Sequence, residues 1–241
     1  MYLLVTIFSV LYISVLEKKI SKYLMLVALL PVFFLFFSMP ALQYNVGTDY
    51  FSYVDMYKYG YNLEYYFNKK EFVFYYILTV SRYFSLGEQS IFILVSVIYT
   101  VFWCFFVYLL KEKNYKVWLV VLLYFLVTGI YQNQLNGLRQ YMAIAILPCA
   151  FILLYDRKYI KCFFLSILAV FCHTSYLVVI PLYVFVFIKP TPTKAVTFFL
   201  ASFAFSILII PYVLPLLVES LFVNYVNYFE SDLASSASYT S

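Results

Sequence analysis

The chain has 241 residues, 66% of them hydrophobic and 11% charged, with a mean hydropathy of +0.91. This balance excludes an ordinary soluble domain, because apolar runs long enough to cross ~30 Å of hydrocarbon recur along the whole length. Nor does the net charge of +5 signal an acidic partner, since most Lys and Arg lie in short loops between apolar runs, where they anchor topology.

Residues 2–16 form the first apolar segment, and its lysines (Lys18, Lys19, Lys22) follow it. That order marks a spanning helix with its amino end outside; a secretory signal would carry its positive charge in front. Further helices are expected near 23–42, 90–110, 117–131, 139–155, 162–173, 175–188 and 195–210. The fold class is therefore an all-α polytopic membrane protein of about eight crossings, with both termini outside the cytoplasm. Loops 17–22, 111–116, 156–161 and 189–194 then face the cytoplasm and hold eleven of the 16 Lys and Arg, as the positive-inside rule requires.

Residues 72–86 would rise only ~22 Å as a helix, and counting them as a crossing would turn the basic 111–116 loop outward. They read as an interfacial or re-entrant helix on the outer side, with Tyr75, Thr79 and Arg82 on a polar stripe and Phe74, Ile77 and Leu78 on the apolar face. Residues 162–188 are too few for two full crossings, which need ~40. A hairpin of two short helices is expected, its tip at His173–Ser175 held below the outer surface by protein or a water-filled cavity. Glycines fall in or beside loops, and Pro148, Pro181 and Pro211 are expected to kink their helices. Residues 1–222 read as a single transmembrane domain and 223–241 as an outward-facing polar tail without fixed structure.

The four cysteines lie in or beside apolar segments, which predicts neither disulfide nor thiol chemistry. With a single histidine, only carboxylates remain as metal ligands, and neither a metal nor a cofactor is expected. The polar residues that do not anchor topology all fall on the outer side: Asn45 and Asp49, Arg82, the 132–140 stretch QNQLNGLRQ, and His173. Ionisable groups near membrane depth are costly and tend to be paired or functional.

Each has a structural reading and a functional one. Arg139 falls in the first turn of a helix, where the dipole disfavours a cation; it either snorkels to headgroups or binds a diphosphate together with the helix amides. Arg82 contacts lipid or joins that site. His173 is a satisfied core residue, a general base or a phosphate ligand. Asp49 forms an Asx turn or a site carboxylate. The tyrosines crowding 44–66 form an aromatic belt or a platform for a sugar ring.

Taken together, NVGTDYFSYVDMY at 45–57, EFVFYYILTVSRYF at 71–84, GLRQYMAIAI at 137–146 and the RKYIK, HTS and Pro run at 157–181 resemble the EpsG-like branch of the Wzy polysaccharide polymerases, over about residues 1–215. The resemblance implies a bacterial inner-membrane glycosyltransferase without a required metal. It would polymerise undecaprenyl-diphosphate-linked repeat units at the periplasmic or outer face, for O-antigen, capsule or exopolysaccharide. Asp49, Arg139 and His173 carry over as catalytic residues, on the GTDY, RQ and HTS elements. Arg82, Asn45, Thr48, Tyr50, Gln140 and Thr174 carry over as substrate-binding residues. Expected partners are the lipid-linked oligosaccharide, membrane lipids, and a chain-length regulator and flippase of the same pathway, with no nucleic acid. Family members usually continue through further spans, so the end at Ser241 implies a short variant or a truncated product. The rival readings are a lipid-linked glycan flippase, a membrane O-acyltransferase and a lipid-A-core ligase.

Overall fold

A computed structural model describes residues 2–17, 20–61, 63–124, 130–188, 191–208 and Tyr212. The described residues are mostly helical, with no strand among them. They divide into a unit of residues 1–187 and a second of residues 188–241. The expected tail at 223–241 and Pro211 lie outside the described residues.

The first unit opens with α1 (Tyr2–Leu16), α2 (Lys22–Ala28) and α3 (Leu30–Ala41). The single helix expected at 23–42 is thus two, joined at Leu29. Pro31 in the first turn of α3 explains the break, since it has no N–H to donate and its ring crowds the preceding turn. Three short helices follow, α4 (Tyr50–Tyr59), α5 (Leu63–Asn68) and α6 (Phe72–Tyr83). At 12 residues, α6 rises ~18 Å and is too short to cross a bilayer. Phe74, Ile77 and Leu78 are its buried face, as the pattern predicts.

Beyond α6 come α7 (Gln89–Glu112), α8 (Val117–Leu122), α9 (Ile130–Asn133), α10 (Leu138–Tyr155) and α11 (Tyr159–Cys172). Among the described residues, α7 and α10 are the two helices long and apolar enough to cross a membrane. The other apolar helices are shorter. The expected helix at 175–188 is two 3₁₀ segments, Thr174–Val178 and Ile180–Phe187. Pro181 accounts for part of this, because it removes a donor and bars Ile180 from comfortable α-helical geometry.

In this unit α7 is central, packing against α2, α3, α6 and α10, while α10 packs along α11 and α1 along α8. The core is strongly aromatic. Phe36 stacks on Trp103 at 4.8 Å and on Tyr131 at 5.2 Å, and Tyr50 stacks on Phe92 at 5.0 Å. Such rings contribute large buried area plus about 0.5–1.5 kcal/mol per well-placed pair.

Polar contacts collect at the two ends of α7. At its carboxyl end, Lys111 donates to the Glu17 carbonyl, and the Glu17 carboxylate accepts from the Val117 and Trp118 N–H groups at 2.8 and 3.2 Å, satisfying the start of α8. Lys113 pairs with Asp156 at that same end. Three of the four basic loops are thereby tied together. At the amino end, Gln89 donates to the Ala41 carbonyl at 2.6 Å, and a Cβ on Gly47 would lie 1.8 Å from Asn136 Oδ1. The loop before α4 therefore lies directly against the loop before α10, and the left-handed backbone at Gly47 (φ +85°) favours glycine there.

The second unit contains α12 (Pro192–Leu208), whose start is marked by Thr191 accepting from the Lys194 N–H at 3.2 Å. Proline at the first helical position and a hydroxyl just before it are ordinary start signals.

Candidate functional site

The site is built around one acid, Glu71, between α5 and α6. Its backbone is set by the way α5 ends. The Lys70 N–H reaches the Phe67 carbonyl at 2.9 Å and the Glu71 N–H reaches the Tyr66 carbonyl at 3.0 Å, with Lys70 at φ +62°. This pair of bonds closes the helix in a Schellman turn, with a lysine in the left-handed position usually given to glycine. The turn fixes where the Glu71 side chain leaves the chain.

That side chain is fully buried. Its Oε2 accepts from Arg139 Nη1 at 2.6 Å, and its Oε1 bonds His173 Nδ1 at 2.7 Å. Thr174 donates a longer bond to Oε1 at 3.5 Å, and the Lys69 ammonium stands 3.6 Å from the same oxygen. Arg139 comes from the first turn of α10, with its guanidinium 4.6 Å from the Tyr66 ring centre and 5.7 Å from that of Phe74. These rings favour a cation over their faces and hold the guanidinium plane in place. His173 ends α11 in extended conformation, which stops the helix and turns the imidazole onto Glu71.

Burial by itself raises a carboxyl pKa. Here the hydrogen bond from His173 and the positive charge of Arg139 overcome it and hold Glu71 down at about 2. An ionised Glu71 only accepts, so Nδ1 carries the proton that it shares with Oε1. In the neutral imidazole Nε2 is then a free base, and it receives a hydrogen bond from the exposed Ser175 hydroxyl at 3.1 Å. All three residues of the HTS element are thus engaged: His173 and Thr174 on Glu71, and Ser175 on His173. Tyr53 of α4 borders the group. Burial pushes its hydroxyl up to about 12, against the lowering effect of Arg139.

An apolar cavity of about 550 Å³ runs along α11 between Tyr159 and Phe171, with Leu177 and Tyr183 on its far wall. It reaches to within two residues of His173 along the chain.

A model of the EpsG family matches residues 25–239. The chain belongs to the EpsG family. No curated protein and no solved structure matches it. EpsG membership, together with its apolar helices, makes this a membrane protein of polysaccharide biosynthesis with a polymerase-type role.

In this EpsG-family chain Arg139, His173 and Thr174 meet on one carboxylate. Other residues expected at the site are placed differently. Arg82 donates to the Met56 and Tyr57 carbonyls at 3.1 and 2.7 Å, a cation closing the carboxyl end of α4. Gly60 makes room for it, since a Cβ there would lie 2.7 Å from Arg82 Nη1. Asp49 precedes α4 and is exposed, accepting a 3.3 Å bond from Thr48. Asn45 and Gln140 are exposed, and Tyr50 is buried in the ring stack with Phe92.

Glu71 itself is the residue that reasoning from the sequence passes over. It heads the quoted run EFVFYYILTVSRYF, beside Lys69 and Lys70, and the motif alone assigns it no role. The available signal was an acid immediately ahead of an amphipathic helix, in a chain whose apolar segments also carry an arginine and an imidazole.

Proposed function

We propose that this EpsG-family protein extends a polysaccharide at the outer face of the cytoplasmic membrane by transferring a glycan from undecaprenyl diphosphate to the end of another lipid-linked unit. The observation that carries the reading is the Glu71 junction. One buried carboxylate holds a guanidinium on one oxygen and an imidazole on the other, and it leaves the imidazole Nε2 turned to an exposed hydroxyl.

The chemistry follows from those atoms. The acceptor sugar hydroxyl takes the place of Ser175 at His173 Nε2, gives up its proton there, and attacks C1 of the donor sugar. The bond from C1 to the diphosphate oxygen breaks, and the leaving diphosphate gathers negative charge. Arg139 stabilises that charge, which in a low-dielectric site lowers the barrier by several kcal/mol. Glu71 fixes the imidazole tautomer and stabilises the imidazolium that forms, without touching substrate. The apolar cavity along α11 suits the prenyl chain of such a donor.

Outward sidedness is supported by the separation of charges. Basic loops 17–22, 111–116 and 156–161 are bonded together at one end of α7, while the Glu71 group involves the start of α10 and the end of α11, opposite to the ends that carry the basic loops.

The test is polymer length in cells. Arg139→Lys, which keeps a positive charge beside Glu71 but loses the fork that grips diphosphate oxygens, should insert at normal abundance but leave mostly single lipid-linked repeat units in place of a ladder on gel analysis of extracted glycans. Long polymer at wild-type level in that variant would refute the mechanism. Accumulation of the units at the inner face would instead assign the chain to transport.

A further inference from the structure

We propose that the exposed ring pair Tyr59 and Tyr61, with Asp55 beside it, is a platform that holds the growing glycan several sugar residues away from the reacting one. This rests on the polymerisation reading above and adds to it a place for the body of the polymer.

Two rings stand out from the surface where α4 turns into α5. Tyr59 and Tyr61 are stacked on each other, with centres 5.2 Å apart and planes 26° off parallel, yet they remain 63% and 59% exposed. Such a pair offers open ring face and two hydroxyls together, which matches a pyranose ring, apolar over its C–H face and polar at its rim. Asp55 is also exposed and precedes Tyr59 by one turn of α4, so it lies on the same face as an acceptor for sugar hydroxyls.

Rigidity separates this pair from an interfacial belt. Rings that only sit among headgroups need no fixed backbone, but the turn carrying these two is tied from several sides. Arg82 of α6 donates to the Met56 and Tyr57 carbonyls at 3.1 and 2.7 Å, and it fills the space beside Gly60, the left-handed residue between the two tyrosines. The Gly87 N–H donates to the Tyr57 hydroxyl at 2.9 Å, and Lys58 pairs with Glu88 at 2.9 Å. The backbone that carries the rings is therefore set before a ligand arrives, which lowers the ordering cost of binding.

Position gives the role. These ties run to the carboxyl end of α6 and the start of α7, whereas Glu71 stands at the amino end of α6. Twelve residues of helix lie between, a length of ~18 Å. That is too far for the sugars that react, and it suits chain already made. Losing the platform should then shorten the polymer without preventing the first joining.

The experiment uses the full chain in nanodiscs of zwitterionic lipid, with calorimetric titration of oligosaccharides cut from the host strain's own polysaccharide, as single repeat units and as longer oligomers. The wild type should bind the longer oligomers at least tenfold more tightly than the single unit. Replacing the pair by Tyr59→Ala with Tyr61→Ala should remove at least tenfold of that affinity at an unchanged melting temperature, and in cells it should collapse the glycan ladder to short chains. Tyr59→Phe with Tyr61→Phe should stay within threefold of the wild type, and Asp55→Ala should weaken binding threefold or more. Tyr83→Ala with Phe84→Ala, which removes two equally exposed rings after α6, should change neither affinity nor ladder. Should the alanine pair fold poorly, leucine at both positions provides the same test.

Unchanged oligomer affinity and ladder in the alanine and leucine pairs would overturn the platform and leave the polymerisation reading standing. Equal weakening by the Tyr83 and Phe84 variants would overturn it in favour of a general aromatic belt, and a wild type that binds no oligomer would overturn it outright. Unchanged affinity in Asp55→Ala would remove Asp55 from the platform. The polymerisation reading itself falls only on the Arg139→Lys ladder.

Discussion

A buried carboxylate holding two partners is a high-stakes element, because removing its charge leaves a guanidinium and an imidazole facing a neutral group. Glu71→Gln is expected to destabilise the chain by about 3–5 kcal/mol, the range for breaking a buried charge pair. It should also stop polymer growth, and both are readable from thermal unfolding in detergent and from the glycan ladder. The pH dependence has a definite sign. Glu71 is held down to about 2 in the folded chain against an ordinary 4.5, so the unfolded state binds more protons between those values. Its contribution to stability is complete above about pH 4.5 and is lost as pH falls through about 2. The melting temperature of the wild type should therefore fall across that window by more than that of Glu71→Gln, and equal slopes would count against an ionised Glu71.

At the scale of elements, this chain ends helices in an unusual way. With only five glycines, it places Lys70, Ser85, Asn114 and Arg157 at positive φ just after α5, α6, α7 and α10. In each case two N–H groups return to the preceding turn, as in a Schellman closure. A side chain in that conformation costs of order 1 kcal/mol relative to glycine, and a β-branched one costs more. Lys70→Gly should therefore hold or raise the melting temperature, by up to about 1 kcal/mol of stability. Lys70→Val should lower it and, by shifting Glu71, cut polymer formation. If Val and Gly behave alike, the turn does not position the acid. The same reliance on non-glycine caps explains why the break at Lys70 was hard to see in the sequence. The expectation that glycine marks the turns holds at Gly47, Gly60 and Gly87 and misses these four.

For the whole molecule, the arrangement of charge predicts sidedness that can be measured. Glu64→Cys on α5 and Lys116→Cys before α8 are both exposed positions, and the natural cysteines are buried or half-buried. A membrane-impermeant maleimide should label Glu64→Cys in intact spheroplasts, and Lys116→Cys only after permeabilisation. The reverse pattern would place the Glu71 group in the cytoplasm and end the proposed function. Composition and the spacing of basic loops made the all-helical membrane class legible from the residues alone, and they located α7, α10 and the helix end at His173. What stayed hidden was pairing. A sequence displays that Arg139 and His173 are out of place in an apolar chain, but the acid that reconciles them is 68 and 102 residues away. Arg82 is a complementary case, since its amphipathic position gives no hint of the two carbonyls it meets at the end of α4.

Those separations also bear on biogenesis. Glu71 leaves the ribosome well before either group that neutralises it, and an unpaired carboxylate cannot enter an apolar interior without a penalty of several kcal/mol. The Glu71 carboxylate must therefore stay in contact with water until α10 and then α11 arrive, so that a nascent chain lacking residues 139 and 173 has no power to act.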